Sequence, residues 1–541
     1  MTATTPRPER LNTAEPGRAV LWLTSRQVLR GAALIALTVT GMSALVAAQY
    51  QTTFAGAFDA GALHALAENP AIRILFGAPQ ALDNAGGFTV WRTGTPVLVL
   101  CGAWALLAAT RITRGEEDAG RWELLLGGRV RMLDLVSRAA VTLALAAVLL
   151  ATAVGAGLLV AGTDPIGALL HALCVLGTTI TFANLGLLAA QLFPSRAAAT
   201  GLAAAALGSA LLLRMLSDGV GVLAWTAWLT PFGLAARAAP YAEDRVGPVL
   251  VLLALAAAPG AAALVAARRR DLGGGLIVLN GTRSARTRLL GSVSGFAVRR
   301  ALAPTLGWLV GIVTYFLLIG ALIASILEFL GKNPRFAEVA ATAGFGGLGS
   351  ATGFAAAMFA VLAMPVGGYA AIRIAALAAD ERARLWSMLH ALPLSRYRWA
   401  GTEIVVTAAG SAVLLGAAAT AMWVGAVLAG APLGWGQALA GAFNVVPVVL
   451  LSLGAAVLAL GWRPAAIGVI GAIPATGGFF LDVIAQSAGA PAWVRELSPF
   501  AHLAAVPATA PDWFASAVMT AVAIALTAIG LYRYNRRDLD D

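Results

Sequence analysis

Apolar positions along this chain come in long blocks separated by clumps of charge. Uncharged runs cover 31–58, 93–110, 139–163, 165–195, 197–213, 219–236, 246–267, 301–327, 339–372, 404–462, 464–481 and 513–532. A bilayer-spanning helix needs about 20 apolar residues, with a range of roughly 17–25. The run 404–462 holds two such lengths, and Pro432-Leu433-Gly434 offers the turn between them. The run 219–236 carries Trp225, Trp228 and a Thr230-Pro231-Phe232 break, so it reads as interfacial or re-entrant. The pattern predicts an all-α integral membrane protein of twelve transmembrane helices.

Arginine placement tests that topology. With the N-terminus inside, the cytoplasmic segments hold 29 of the 37 basic residues. The outer segments hold Arg73, Arg92, Arg214, Arg237, Arg245, Lys332, Arg335 and Arg495. Such a bias is what the positive-inside rule asks for. A thirteenth span at 219–236 would throw the eight-arginine stretch Arg268–Arg300 outside. Both termini are therefore expected in the cytoplasm, and the high Ala, Gly and Arg usage with a single lysine suggests a bacterial inner (plasma) membrane.

Composition agrees. Of 541 residues 59% are apolar and 12% charged, and mean hydropathy is +0.82. Soluble domains run near roughly 45–50% and about 25%, so a soluble enzyme is excluded. The net charge of +11 is explained by topology and anionic lipid, not by nucleic acid. Cys101 and Cys174 fall inside spans and read as small apolar residues. Residues 1–18 are polar and are expected to be a disordered N-terminus.

The chain repeats itself. Glu116-Glu117-Asp118-Ala119-Gly120-Arg121-Trp122-Glu123 follows the second span, and Asp380-Glu381-Arg382-Ala383-Arg384-Leu385-Trp386 follows the eighth. Aligning Arg121 with Arg384 sets Glu117 on Asp380 and Asp118 on Glu381. Leu229-Thr230-Pro231-Phe232 matches Leu497-Ser498-Pro499-Phe500 before the last span of each half. Arg121 to Pro231 spans 110 positions, and Arg384 to Pro499 spans 115. Two landmarks at near-equal spacing imply a duplicated six-span unit. An even number of spans gives both halves the same orientation. The expected organisation is a first half over 19–267, a basic linker and connecting helix over 268–300, a second half over 301–534 and a tail over 535–541.

Enzymatic constellations are missing from the sequence. Its one lysine, Lys332, precedes Asn333, so no phosphate-binding Gly-Lys-Ser/Thr loop exists. No His-Glu-x-x-His, paired-cysteine or Gly-x-Ser-x-Gly pattern occurs, and no metal site is expected. Glu403 and Asp482 sit near span ends and read as interfacial, not as proton relays. Arg214 is expected to snorkel or to pair with Asp218.

The repeated acidic loop is the strongest functional feature. Read as one helix, 116–126 starts with three acids at the positive end of its dipole and places Ala119, Trp122, Leu125 and Leu126 on one face. Carboxylates and an arginine on the other face would serve as a docking knob.

Those residues, with Asp380-Glu381, Leu394-Ser395-Arg396 and the paired Thr230-Pro231 and Ser498-Pro499 turns, resemble the coupling regions of type-2 ABC exporter permeases. The resemblance is nearest to the fused twelve-span permeases of actinobacteria that export polyketide antibiotics or act in multidrug efflux. It covers the chain after residue 18. In the second copy Arg382 and Ala383 replace Ala-Gly, and Trp386 replaces the Glu123 type.

The resemblance implies several things. Amphipathic connecting helices are expected at about 18–29 and 283–299. Outer re-entrant elements are expected at about 221–240 and 488–508, turning at Pro231 and Pro499. Two copies of a separate ATP-binding subunit would dock on Glu116, Glu117, Asp118, Gly120, Arg121, Trp122 and Glu123, and on Asp380, Glu381, Arg384 and Trp386. Those partners would hold ATP and Mg, and this chain would hold no cofactor. A path between the halves would admit small amphipathic compounds past Trp104, Phe354, Met358, Phe359, Phe479 and Phe480. The rival is a proton-coupled transporter of the major facilitator type, whose Gly–Asp–Arg–Gly–Arg loop Gly115, Asp118, Gly120 and Arg121 echo at the wrong spacing.

Overall fold

A computed structural model describes residues 16–51, 73, 77–128, 130–219, 221–277, 289–332, 347, 349–382, 395–487 and 490–537. Among them twelve helices are long and apolar enough to cross a bilayer. Spans 1 to 6 are Val20–Gln49, Ala85–Asp118, Met132–Val160, Pro165–Leu192, Arg196–Gly219 and Val246–Ala267. Spans 7 to 12 are Val293–Lys332, Ala351–Glu381, Arg396–Leu428, Trp435–Trp462, Pro464–Val483 and Trp513–Arg536. The run 404–462 does split in two, and 219–236 is not a span. The chain is an all-α, multi-pass membrane protein.

It divides into two compact units, Met1–Thr282 and Arg283–Asp541. The first packs span 1 on span 3, span 2 on span 4 and span 4 on span 6. The second repeats the scheme, with span 7 on span 9, span 8 on span 10 and span 10 on span 12. Spans 4 and 10 are the most buried of their units, as the central members should be. Leucines such as Leu37, Leu145 and Leu250 point outward, where hydrocarbon satisfies them.

Small residues set the closest approaches. A Cβ on Gly461 would stand 2.7 Å from the carbonyl oxygen of Gly530 in span 12. In span 7, Gly320 lies against the Met422 carbonyl, and in span 9, Gly425 lies against that of Leu317. Close backbones gain dispersion where no hydrophobic force drives helices together.

Two expectations are corrected. The connecting helices are not separate elements. Pro16–Gln49 runs unbroken through the expected segment, and Val293–Lys332 is a single 40-residue helix. Pro304, just past the expected second boundary, is accommodated inside the longer helix without ending it. At about 1.5 Å per residue the longer one measures about 60 Å, twice the roughly 30 Å hydrocarbon core. The basic stretch after span 6 is also not all linker, because residues 268–277 fold against the first unit.

The paired turns have a capping explanation. Thr230 Oγ1 accepts the Gly233 N–H at 3.0 Å, with Pro231 opening the helix Pro231–Ala238. Ser498 Oγ accepts the Phe500 N–H at 3.1 Å, with Pro499 opening a 3₁₀ turn. A hydroxyl cap followed by proline is the preferred helix start.

Gly320→Leu or Gly425→Leu should cost about 1–3 kcal/mol by overpacking. Gly311→Leu, in the same helix as Gly320 but with open space around it, should cost little. Thermal midpoints of the three variants in detergent check this.

Candidate functional site

The loop between spans 2 and 3 is built from two short helices, Arg114–Asp118 and Arg121–Leu126. The expected single helix over 116–126 is broken at Gly120, whose φ of +71° suits glycine. The break sends the two pieces to different tasks.

In the first piece Arg114 and Glu117 are buried. Glu117 has a side chain 2% exposed, and it receives a forked pair of bonds from Arg270, at 2.7 and 2.5 Å. The Gly273 N–H adds a third at 2.8 Å. Arg114, 1% exposed, stands 3.2 Å from the same carboxylate and 3.1 Å from Asp118. It also donates to the carbonyls of Gly274, Pro194 and Gly273. Arg270 Nε donates to Gln191 Oε1 at 2.7 Å, at the end of span 4. Asp118 accepts the Arg196 N–H at 2.8 Å, at the start of span 5. Two arginines and two acids thus leave this cluster neutral.

Glu117 is therefore not on an exposed docking face, which corrects the expectation for that carboxylate. It joins helix ends. Buried charges survive only where they are paired and hydrogen-bonded, and the forked geometry is the strong form of such a pair.

The second piece divides into a buried root and an exposed tip. Trp122 is buried among Val20, Leu135, Val136 and Ala267. Leu124 is 84% exposed. Arg121 and Glu116 close a local two-bond pair at 2.5 and 2.7 Å. That bond holds the Arg121 guanidinium above its usual range. Glu123 lies on the exposed side.

In the second unit, Asp380 and Glu381 end span 8. Arg384 and Trp386 lie outside the described residues. Glu381 pairs with Arg537 at 3.0 Å, and Arg537 donates to the Leu460 carbonyl at 2.7 Å, at the end of span 10. Asp380 pairs with Arg300 of span 7. Arg300 also pairs with Glu403 of span 9, which meets Arg373 of span 8 at 2.8 Å. Glu403, expected at the interface, is buried.

These partners correct the register of the repeat by one residue. Glu117 matches Glu381, because each meets the arginine that follows the last span of its half. A shift of 264 positions then sets Glu116 on Asp380, Trp122 on Trp386 and Asp218 on Asp482. Asp218 pairs with Arg214 at 2.8 Å, and Asp482 faces Arg495 at 3.7 Å, each at the far end of the fifth span of its half.

Arg114, Gln191, Arg270, Arg300 and Arg537 escaped the sequence reading. A signal for two of them was present. Arg269-Arg270-Asp271-Leu272 recurs as Arg536-Arg537-Asp538-Leu539.

The expected path residues have these surroundings within their own units. Phe359 stacks on Phe316, with centroids 5.8 Å apart, and Phe354 is buried. Trp104 packs over Gly31, and Met358 is half-buried. Phe479 meets Phe480 and Phe500 edge-on, and Phe480 is exposed.

Glu117→Ala strands two buried arginines and should cost about 3–5 kcal/mol. Glu117→Gln/Arg270→Gln, which keeps the cluster neutral, should cost less than the single change. Thermal midpoints and loop proteolysis of both variants check the order.

Residues 290–535 match the family described as "Multidrug efflux system permease Rv1217c, C-terminal domain". The chain is also 31% identical, over 495 residues, to the "Multidrug efflux system permease protein Rv1217c" of Mycobacterium tuberculosis. That match covers 89% of this chain and 87% of the relative. With twelve apolar helices in two like-built units, the chain belongs to the Rv1217c family of multidrug efflux permeases.

Proposed function

We propose that this chain is the permease subunit of an ATP-driven exporter of the ABC type. It would move amphipathic or lipophilic compounds out of the cytoplasm. The observation that carries this reading is the two-part loop after span 2. Its root is locked into the bundle, and its tip offers Arg121, Glu123 and Leu124 to a partner. An exposed leucine beside a charged pair, on the arginine-rich end of the unit, suits a protein surface better than water. The single lysine gives the chain no phosphate loop of its own, so the energy source would be a separate subunit.

Two such subunits would hold ATP and Mg, one docking on each half. Docking would use the tip residues around Leu124 in the first half and the segment after Glu381 in the second. The arginine-rich ends would face the cytoplasm of the bacterial inner membrane by the positive-inside rule. Closure of the ATP-bound pair would favour one arrangement of the halves and shift the population toward it. Substrate would pass between the halves, released outward as they rock.

Co-expression with the ATP-binding subunit encoded beside its gene tests the reading. Two ATPase copies should co-purify per chain. Leu124→Asp should reduce co-purified ATPase about tenfold, a loss near 1.4 kcal/mol. No ATPase with the wild type, together with drug efflux abolished by a proton uncoupler, would sink the proposal in favour of a secondary transporter.

A further inference from the structure

Arg270 and Arg537 hold the same place in their halves. Each lies just beyond the sixth span of its half, after Ala267 and Arg536 respectively. Each reaches an acid at the end of the second span, Glu117 or Glu381. Each also bonds the end of the fourth span, through Gln191 Oε1 or the Leu460 carbonyl. One side chain therefore joins three helix ends in each unit. The chain after Arg270 strengthens the joint. Leu276 and Ile277 donate their N–H groups to the Gln191 and Leu192 carbonyls at 3.2 and 2.9 Å, filling acceptors that the end of span 4 leaves open.

Arg270 does more than balance the second acid of the cluster. Arg114 is shared between Glu117 and Asp118, whereas Arg270 spends its Nε on Gln191, an uncharged partner at the end of span 4. What Arg270 adds is reach, because its planar fork grips Glu117 while its Nε holds Gln191. The second unit has Ala378 where the 264-position shift puts the counterpart of Arg114, and there Arg537 carries the pairing to Glu381. The feature common to both units is thus the three-way joint, set on a repeated Arg-Arg-Asp-Leu segment.

We propose that Arg270 and Arg537 are positioning residues of the transport cycle. They bind the partner-facing loop to the ends of the fourth and sixth spans, so that a push on the loop turns those spans with it. The inference rests on the ABC reading above. Among the described residues Arg270 makes no bond to Arg121, Glu123 or Leu124, so loss of the joint should spare docking and ATP hydrolysis while disconnecting them from span movement.

The test uses the full complex with its ATPase in lipid nanodiscs. Spin labels at Ser195→Cys and Arg463→Cys report the ends of spans 4 and 10, while native Cys101 and Cys174 are buried. Distances are compared without nucleotide and with ATP plus vanadate. In the otherwise unchanged protein the distance should shift. In Glu117→Gln/Arg270→Gln and in Glu381→Gln/Arg537→Gln, which add no uncompensated charge, ATPase should co-purify and hydrolyse as before. The nucleotide-driven shift should then fall by about half or more. Arg270→Lys, which keeps the charge but loses the fork, should give an intermediate shift and guards against misfolding of the double variants.

A full shift in the double variants would overturn the proposal. So would hydrolysis and shift falling by the same factor, which would make the joint a fold element only. A labelled complex that hydrolyses ATP without any shift would also overturn it, leaving the ABC reading intact. A chain that binds no ATPase would sink that reading, and this inference with it.

Discussion

A carboxylate withdrawn from water keeps its charge only if cations and N–H donors take over from the solvent. Glu117 is in that position, and the arrangement around it follows from the need. Arg270 supplies a fork, Gly273 a backbone N–H and Arg114 a second positive charge. Those donors come from two stretches of chain far apart in sequence, and Arg270 also holds Gln191 at the end of span 4. Satisfying one acid therefore gathers the exits of spans 2, 4 and 6 at a single point. The positive φ of Gly273 lets the chain turn tightly enough to present its N–H.

The two units solve the same problem unequally. Glu116 is satisfied locally by Arg121, within the loop. Its counterpart Asp380 reaches Arg300, and through it Glu403 and Arg373. The second unit thus ties the end of span 8 both to spans 7 and 9 and to spans 10 and 12. Among the described residues the first unit shows no ion pair from its tip to spans 1 and 3, and anchors it there by Trp122 among Val20, Leu135 and Val136. A duplicated framework has kept its geometry of helix ends while changing which forces hold one side of it.

Much of the fold was legible because bilayer length and arginine bias are blunt constraints. They place twelve spans, reject 219–236 and split 404–462 without reference to tertiary contacts. The Thr230-Pro231 and Ser498-Pro499 turns were legible for a similar reason, since capping is local chemistry. The site was half legible. Its location and the burial of Trp122 followed from spacing. The burial of Glu117 did not, because its partner lies 153 residues away and nothing in the loop says which acid points inward. Register slipped by one for the same reason: arginine matched arginine in the loop, whereas the structure matches acids by the arginines they meet. The expected separate connecting helices came from resemblance, and the helices run on through Gly31 and Pro304, the breaker residues nearest the expected boundaries.

The 153 residues between Glu117 and Arg270 also bear on how the molecule is made. Span 2 enters the membrane long before Arg270 leaves the ribosome. Until then the Gly273 N–H is absent as well, and of these donors Glu117 has only Arg114 beside it. The joint closes when span 6 is threaded, and in the second half when span 12 is. Each half is thus a unit of assembly whose last-inserted helix carries the clasp, and the end of its second span gains its full set of partners only after all six helices of that half are in place.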